Sequence, residues 1–237
     1  MCKTMLVVVL YDKTYKDSLT LNSLMNKSFS EVDLMIVNHG PNPLKFDKDF
    51  IHTLGFFVGN VVLKEYLDGR LLSGICNTII NEHDEYERFI FFDDESDVGK
   101  KFIKNLDLYF KNHIDLQIPN IRGRSDRKIH YPVIAESTLR NDEGTEVNST
   151  NRVRSLGTGL AIYRSLITKF KAENKEVFDS NFTLRDLDCG FFIHLDATYL
   201  TSGITIQIVN TIVHSLLRTD SPSNKFRIMD RIRERLI

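Results

Sequence analysis

The sequence has few of the features that mark a secreted, membrane-spanning or nucleic-acid-binding protein. Its 3 cysteines, Cys2, Cys76 and Cys189, are odd in number and far apart. They form neither a disulfide framework nor a CxxC metal site, so they indicate a reducing, cytoplasmic setting. No apolar run approaches the roughly 18 residues that cross a bilayer. The run that begins at Met5 is too short for a signal peptide and is followed by Tyr11 rather than by small residues.

The chain also lacks an excess charge and any internal repeat. Its formal net charge of −1 argues against a nucleic-acid partner. Of its 237 residues, 42% are hydrophobic and 27% charged, ordinary values for a folded domain. A chain of this length buries a sizeable core, so we expect one large domain, with or without a small appendage.

Apolar runs alternate with helical patterns in the first half of the chain. Strands are predicted at 5–11, 32–37 and 89–92, with a short one at 61–63, and helices at 19–25 and 73–80. This alternation indicates βαβ units, and therefore an α/β fold with a mostly parallel central sheet flanked by helices.

The second half is expected to be more irregular. Residues 119–151 are polar and mostly aperiodic, which predicts a long loop, and this loop carries the basic segment Arg122–Lys128. Arginine forks in that segment would suit the phosphates of a donor or of a lipid-linked acceptor, whereas a solvated mobile loop explains it as well. Further on, we predict a tight passage at 155–162 into a helix ending near Phe170, a helix at 186–195 and a strand at 204–213.

The most informative stretch is an apolar run that ends in three carboxylates. Phe89–Phe92 reads as a buried strand, and Asp93, Asp94 and Glu95 follow it directly. Carboxylates this close repel one another, and a divalent cation such as Mg²⁺ or Mn²⁺ would offset the repulsion. Ligands of open α/β sheets bind beyond the carboxyl ends of the strands. An acidic, solvated turn explains the run equally well when it is taken alone.

The order of these features resembles the family 2 glycosyltransferases with the GT-A fold, especially bacterial enzymes of O-antigen and capsule assembly. The resemblance runs from Val7 to about Ser215. It implies that the first strand and its exit, with Leu10 and Tyr11, contact the nucleotide base, as does Asn38 in the segment IVNHGPNPL. LLSGICNTII resembles a donor-facing helix, which implies such a role for Asn77.

The resemblance also assigns the acidic run. The segment FFDDES stands where the family has its Asp-x-Asp motif, so Asp93 and Asp94 would face the donor, and Asp93 and Glu95 would hold the metal. His214, after a strand-like run, stands where many members have a third metal or diphosphate ligand.

RDLDCGFFIHL resembles the family segment that carries the catalytic base. Asp188 is the best match for that base, and Asp186 is the rival because it would also cap a helix. Gly157, Thr158 and Gly159 resemble the small residues that approach the donor sugar and the acceptor.

The implied function is an inverting, metal-dependent hexosyl transfer in bacterial surface polysaccharide synthesis. The donor would be a UDP-, dTDP- or GDP-sugar, the cofactor Mn²⁺ or Mg²⁺, and the acceptor a saccharide or an undecaprenyl-linked saccharide. A GT-A domain would span 1–220, with a nucleotide-sugar half at 1–112 and an acceptor half at 113–220. The basic, amphipathic segment 221–237 fits peripheral membrane contact, packing on the domain or a homo-oligomer contact equally well.

Two other interpretations stay open. Asn38, Glu95 and Leu187 depart from the family's usual residues, so a degenerate GT-A domain that binds or scaffolds is one alternative. The other is a HAD-type phosphatase, in which Asp12 at the end of the first strand would be the nucleophile and Asp93 and Asp94 would bind the metal. Thr14 and Tyr15 stand where that motif needs other residues.

Overall fold

The computed structural model describes residues 2–25, 27, 29–135, 142–147, 152–180, 191–196 and 203–216. Its strands are β1 Thr4–Leu10, β2 Val32–Asn38, β3 Val61–Glu65, β4 Arg88–Phe92, β5 Ser96–Asp97, β6 Leu116–Gly123, β7 Ile129–Tyr131, β8 Val133–Ile134, β9 Thr145–Val147, β10 Val153–Arg154, β11 Leu160–Tyr163 and β12 Ile206–His214. Its helices are α1 Leu19–Leu24, α2 Lys48–Leu54, α3 Leu72–Glu82, α4 Phe102–Tyr109 and α5 Arg164–Ala172, and residues 191–196 are also helical.

One 10-stranded sheet organises the described chain. Its main strand order is β3-β2-β1-β4-β11-β6-β12-β5, with β7 paired to β6 and β9 paired to β12. The first four strands are parallel, β11 runs antiparallel to β4 and β6, and β12 is parallel to β6. The predicted α/β class with a mostly parallel sheet flanked by helices is confirmed. The division at residue 112 stays a prediction, and this sheet contains strands from both sides of it.

The hydrophobic core lies on both faces of the sheet. In β1, Met5, Val7 and Val9 pack into one buried cluster, while Leu6, Val8 and Leu10 pack into the other. Successive side chains of a strand point to opposite faces, so a strand covered on both sides is apolar throughout. This is why β1, β2 and β4 read as continuous apolar runs and were predicted correctly.

The prediction of a long loop at 119–151 is wrong in its first part. β6 runs through residue 123, and β7, β8 and β9 follow within the predicted loop. β6 was not recognised in the sequence because it contains polar residues, which form hydrogen bonds to other polar side chains inside the sheet. Gln117, which is fully buried, donates to Gln207 Oε1 at 2.7 Å and accepts from the Tyr163 hydroxyl at 2.5 Å. Residues 136–141 and 148–151 lie outside the described chain.

Some predicted elements begin or end at other residues in the structure. The passage at 155–162 continues into strand β11 before α5 begins, because Leu160–Tyr163 pair with β4. The predicted strand at 204–213 is confirmed as β12. Within the described residues, no helix is both long and apolar enough to cross a bilayer. Segment 221–237 lies outside them.

Candidate active site

The acidic run lies at the carboxyl edge of the sheet. β1 and β4 are parallel, so they end on the same side, and the chain that leaves β4 turns across this edge into β5. β5 then pairs with the last two residues of β12, which places Ser96 opposite His214. On its other side β12 pairs with β6, where His214 lies opposite Gly123 at the end of that strand. Four strand ends therefore meet around the acids.

Asp93 is held from several sides. Its Oδ2 lies 2.5 Å from Nε2 of His214, and its Oδ1 accepts from Ser96 Oγ at 2.9 Å and from Thr158 Oγ1 at 3.1 Å. The backbone of the turn is fixed as well, because Thr20 Oγ1 donates to the Asp93 carbonyl at 2.7 Å. The carboxylate orientation is thus set by three other segments of the chain.

These contacts determine the charge of Asp93. Desolvation by itself raises the pKa of the Asp93 carboxyl. The hydrogen bond and charge of His214, together with the donors Ser96 Oγ and Glu95 N, outweigh this effect and hold the pKa below its usual value. Asp93 is therefore an anion at neutral pH.

Lys13 forms ion pairs with both of the other acids. Its ammonium donates to Asp94 Oδ1 at 2.7 Å and to Glu95 Oε1 at 2.9 Å. Burial and the charge of Asp93 raise the pKa of Asp94 above its usual value, and Lys13 offsets only part of that rise. Sequence reasoning missed this lysine. The one available signal was a cation placed three positions beyond the first strand.

The side chains at this edge provide some of the ligands that a divalent cation needs. Asp93 and His214 bring a carboxylate oxygen and an imidazole nitrogen together, and Mn²⁺ accepts both kinds of ligand. Glu95 lies two positions after Asp93 in sequence but is paired with Lys13. Among the described residues, no three His, Cys, Asp or Glu side chains are grouped closely enough to hold a metal by themselves. One or two protein ligands suffice when substrate phosphates complete the shell, so Asp93 and His214 offer ligand types that suit the cation predicted from the sequence. A cation held by both would replace the direct contact between Oδ2 and Nε2.

The predicted base-binding residues lie at the ends of β1 and β2. Leu10 is fully buried and its carbonyl accepts from His39 N at 2.9 Å, whereas Tyr11 is 38% exposed, with its ring centroid 6.0 Å from that of His39. Asn38 is buried and holds the turn after β2. Its amide donates to Glu65 Oε1 at 2.8 Å, and its oxygen accepts from Gly40 N at 3.0 Å.

Asn77 forms its hydrogen bonds in another part of the fold. Its amide lies between α3 and the segment after α5, where it donates to the Phe178 carbonyl at 2.7 Å and to Glu176 Oε2 at 2.5 Å. Its oxygen accepts from Phe178 N at 3.0 Å. These bonds tie a helix to a loop, and none of them reaches the acidic run.

The predicted small-residue turn does reach the acidic run. Thr158 is buried and bonds both Asp93 and Ser96, the latter at 2.8 Å between hydroxyls. Gly159 has φ +74, and a Cβ there would lie 2.7 Å from Pro119 Cγ. The glycine thus lets β11 approach β6 while the threonine faces the acids.

The basic segment forms a short, defined turn between β6 and β7. Gly123 N donates to the Lys128 carbonyl at 2.9 Å, Arg127 N donates to the Gly123 carbonyl at 3.0 Å, and Arg124 N donates to the His214 carbonyl at 3.0 Å. The turn therefore touches the strand end that carries His214. Asp186 and Asp188, the two predicted bases, lie outside the described residues.

The comparisons with known proteins rest on structure. No family model and no curated protein sequence matches this chain. GalNAc-T7, solved with UDP, GalNAc and Mn²⁺, matches with a TM-score of 0.63 and 12% identity over 90% of this chain and 43% of its own. S. aureus TarS 1-349 matches with a TM-score of 0.60 and 14% identity over 96% of this chain and 63% of its own. TarS 1-349 with UDP matches with a TM-score of 0.59 and 15% identity.

The fold is that of the GT-A glycosyltransferases. This confirms the GT-A fold that the sequence resemblance implied. At these identities the likeness establishes the fold alone, and the chain spans less than two thirds of the length of either protein. Membership of family 2 and the likeness to O-antigen enzymes stay predictions. Within the GT-A frame, the acids, His214 and Thr158 lie together at the carboxyl edge of the sheet.

Proposed function

We propose that the protein is an inverting, metal-dependent glycosyltransferase that uses a nucleotide-sugar donor. The observation that carries the proposal is the joining of Asp93 to His214 at the carboxyl edge of a GT-A sheet. An anionic carboxylate and an imidazole, oriented by Ser96 and Thr158, form a polar site where open α/β sheets bind ligands.

The nucleotide would lie over the ends of β1 and β2. Tyr11 offers an exposed ring to a base, and Asn38 shapes the turn beneath it. UDP-, dTDP- and GDP-sugars are all candidates. The GalNAc-T7 structure contains UDP, and one TarS 1-349 structure contains UDP-GlcNAc. These ligands make a UDP-sugar the first donor to test.

The metal, Mn²⁺ or Mg²⁺, would be held by Asp93 and His214, with Glu95 as the third protein ligand. Bound there, it would stabilise the negative charge that grows on the departing nucleoside diphosphate. Lys13 contributes a positive charge to the same edge and keeps Asp94 and Glu95 from repelling each other. Thr158 and Ser96 fix the direction of the Asp93 carboxylate.

The base that accepts the proton of the attacking hydroxyl would be Asp188, with Asp186 as the rival. A carboxylate within hydrogen-bond reach of the acceptor suffices for this step. The acceptor would be a saccharide or an undecaprenyl-linked saccharide of a bacterial surface polysaccharide. The acceptor half would begin near residue 113, and segment 221–237 would contact a membrane surface or a second copy.

A panel of UDP-, dTDP- and GDP-sugars with Mn²⁺ or Mg²⁺ tests the proposal. We expect hydrolysis or transfer with at least one donor, and a loss of about a hundredfold or more in Asp93→Asn and His214→Gln. His113→Gln is the matched control, because this histidine pairs with Glu146 on the surface. Thermal unfolding checks that each variant folds.

Two results would contradict parts of the proposal. A chain that binds nucleotide sugars without transferring or hydrolysing them supports the degenerate, scaffolding alternative. Activity that survives both Glu95→Ala and Asp188→Ala would remove the assigned ligand and base. The phosphatase alternative has less support, because Asp12, its nucleophile, is exposed at φ 51, where its backbone N donates to the Gly40 carbonyl.

A further inference from the structure

One turn of this nearly neutral chain has a local excess of positive charge. Between 122 and 128 the sequence has four cationic side chains and one carboxylate, whereas the whole chain has a net charge of −1. Within the described part of the chain, no carboxylate forms an ion pair with these cations, which are Arg122, Arg124, Arg127 and Lys128. The one acid, Asp126, instead accepts from Lys128 N at 3.0 Å and lies 2.8 Å from His130 Nε2. The excess of positive charge is therefore local, and among the described residues it is not balanced by ion pairs.

Hydrogen bonds fix the backbone of the turn that carries these cations. Two backbone hydrogen bonds close it, from Gly123 N to Lys128 and from Arg127 N to Gly123. Gly123 leaves room for the Asp126 carboxylate, which a Cβ at this position would displace. Arg127 has φ 60, a conformation that glycine adopts more easily, and yet it carries a long cationic side chain. Arg124 and Arg127 are exposed at the tip.

The position of the turn relates it to the acidic site. β12 lies between β6, from which the turn starts, and β5, into which the acidic run leads, so that His214 pairs with Gly123 on one side and with Ser96 on the other. Neighbouring strands are about 4.8 Å apart, so the turn begins one strand spacing from His214. The ends of β1 and β2, where the nucleotide would bind, belong to the opposite half of the sheet. The turn therefore flanks the site on the side away from the nucleotide.

We propose that the turn 123–128, with Arg124 and Arg127 at its tip, binds a phosphate group of the acceptor. Guanidinium forks match phosphate oxygens through paired, charge-assisted hydrogen bonds, and a fixed turn loses little freedom on binding. The proposal rests on the proposed function, since it requires the acidic site to hold the donor. It adds that the acceptor is phosphorylated rather than a neutral saccharide.

Phosphate binding to the full chain, already saturated with UDP and Mg²⁺, tests this proposal. The probe is inorganic phosphate, and its affinity is measured by the broadening of its ³¹P line. We expect the double variant Arg124→Gln with Arg127→Asn to weaken phosphate binding by at least about tenfold and to leave UDP affinity within about twofold. Asparagine tolerates the left-handed conformation at 127. The matched control, Lys100→Gln with Lys104→Gln, removes the same charge from another exposed surface and leaves phosphate binding unchanged.

Three results would overturn the proposal. Unchanged phosphate binding in the double variant means that the turn is a solvated surface. If phosphate binds the UDP-free chain but not the UDP-saturated chain, and the double variant binds UDP more weakly, the arginines bind the donor diphosphate instead. Binding to phosphatidylglycerol vesicles without binding of inorganic phosphate assigns the turn to a membrane surface. Failure of the proposed function is seen separately, as an absence of UDP, dTDP and GDP binding by the unaltered chain.

Discussion

Lys13 is the residue that most changes the view of the acidic run. The sequence predicts three carboxylates that need a counter-charge, and the structure provides one in the lysine that leaves β1. With side-chain exposures of 31% for Lys13 and 11% for Asp94, the pair is partly shielded from water. Lys13 thus competes with any cation that Glu95 would bind.

We expect Lys13→Gln to lower the stability of the metal-free protein and to increase the response to metal. The loss of the two ion pairs should reduce the free energy of unfolding by about 1 kcal/mol near pH 7. Mn²⁺ should then raise the melting temperature more in the variant than in the parent chain, because Glu95 is released. Differential scanning calorimetry with and without Mn²⁺ measures both effects.

Lys16→Gln is the control for this substitution, since Lys16 pairs with Asp47 and is 72% exposed. We expect it to change neither quantity appreciably. A smaller Mn²⁺ response in Lys13→Gln than in the parent chain would show that the lysine assists metal binding instead of competing with it.

At the level of elements, β11 joins the two parts of the sheet. It was not predicted, because Leu160–Tyr163 is short and reads as the approach to a helix. It lies antiparallel between β4 and β6, with Gly159 N donating to the Phe91 carbonyl at 2.7 Å. The turn before it carries Thr158 to Asp93, so the position of this strand also sets the geometry of the site.

Gly159→Ala should therefore be strongly destabilising. The substitution places a Cβ at φ +74 and against Pro119, so we expect a loss of about 2–4 kcal/mol in the free energy of unfolding. Gly74→Ala is the matched control. Gly74 lies inside α3 with no atom within 4 Å of its added Cβ, and alanine there should stabilise the helix by up to about 1 kcal/mol. Urea denaturation of the two variants compares them directly, and equal stabilities would contradict the assigned packing of Gly159.

At the level of the whole molecule, one sheet separates two buried clusters. Phe91 lies in one and Phe92 in the other, adjacent in β4 and on opposite faces. Cys76 is fully buried in the cluster of Phe91, and burial raises the pKa of its thiol. A reagent reaches this thiol only when the structure around it opens.

Labelling of Cys76 reports whether the two faces unfold together. In a chain with Cys2→Ser and Cys189→Ser, we expect Phe92→Ala to accelerate the reaction of Cys76 with a thiol reagent by about a hundredfold or more. A buried Phe→Ala substitution costs about 3–5 kcal/mol, and both clusters share the same strands. Phe56→Ala, at a residue 71% exposed, is the control and should leave the rate unchanged. Acceleration by Phe91→Ala but not by Phe92→Ala would show that the faces open independently.

The sequence by itself determined which strands are buried on both faces and that the acids follow one of them. Apolar runs specify β1, β2 and β4 because a strand buried on both faces needs apolar residues at every position. Polar strands escape that pattern. β6 was missed because Gln117 is satisfied by Gln207, 90 positions away, and such pairing leaves no local signal.

Only the tertiary structure decided how the site is assembled. Asp93 and His214 are 121 positions apart, and Asp94 and Lys13 are 81 apart. The sequence resemblance proposed the first pairing, and the strand order β4-β11-β6-β12-β5 brings it about. The second had no counterpart in the sequence. The physical reason is that hydrophobic periodicity records which faces are buried, whereas the order of strands in the sheet decides which polar side chains meet at its edge.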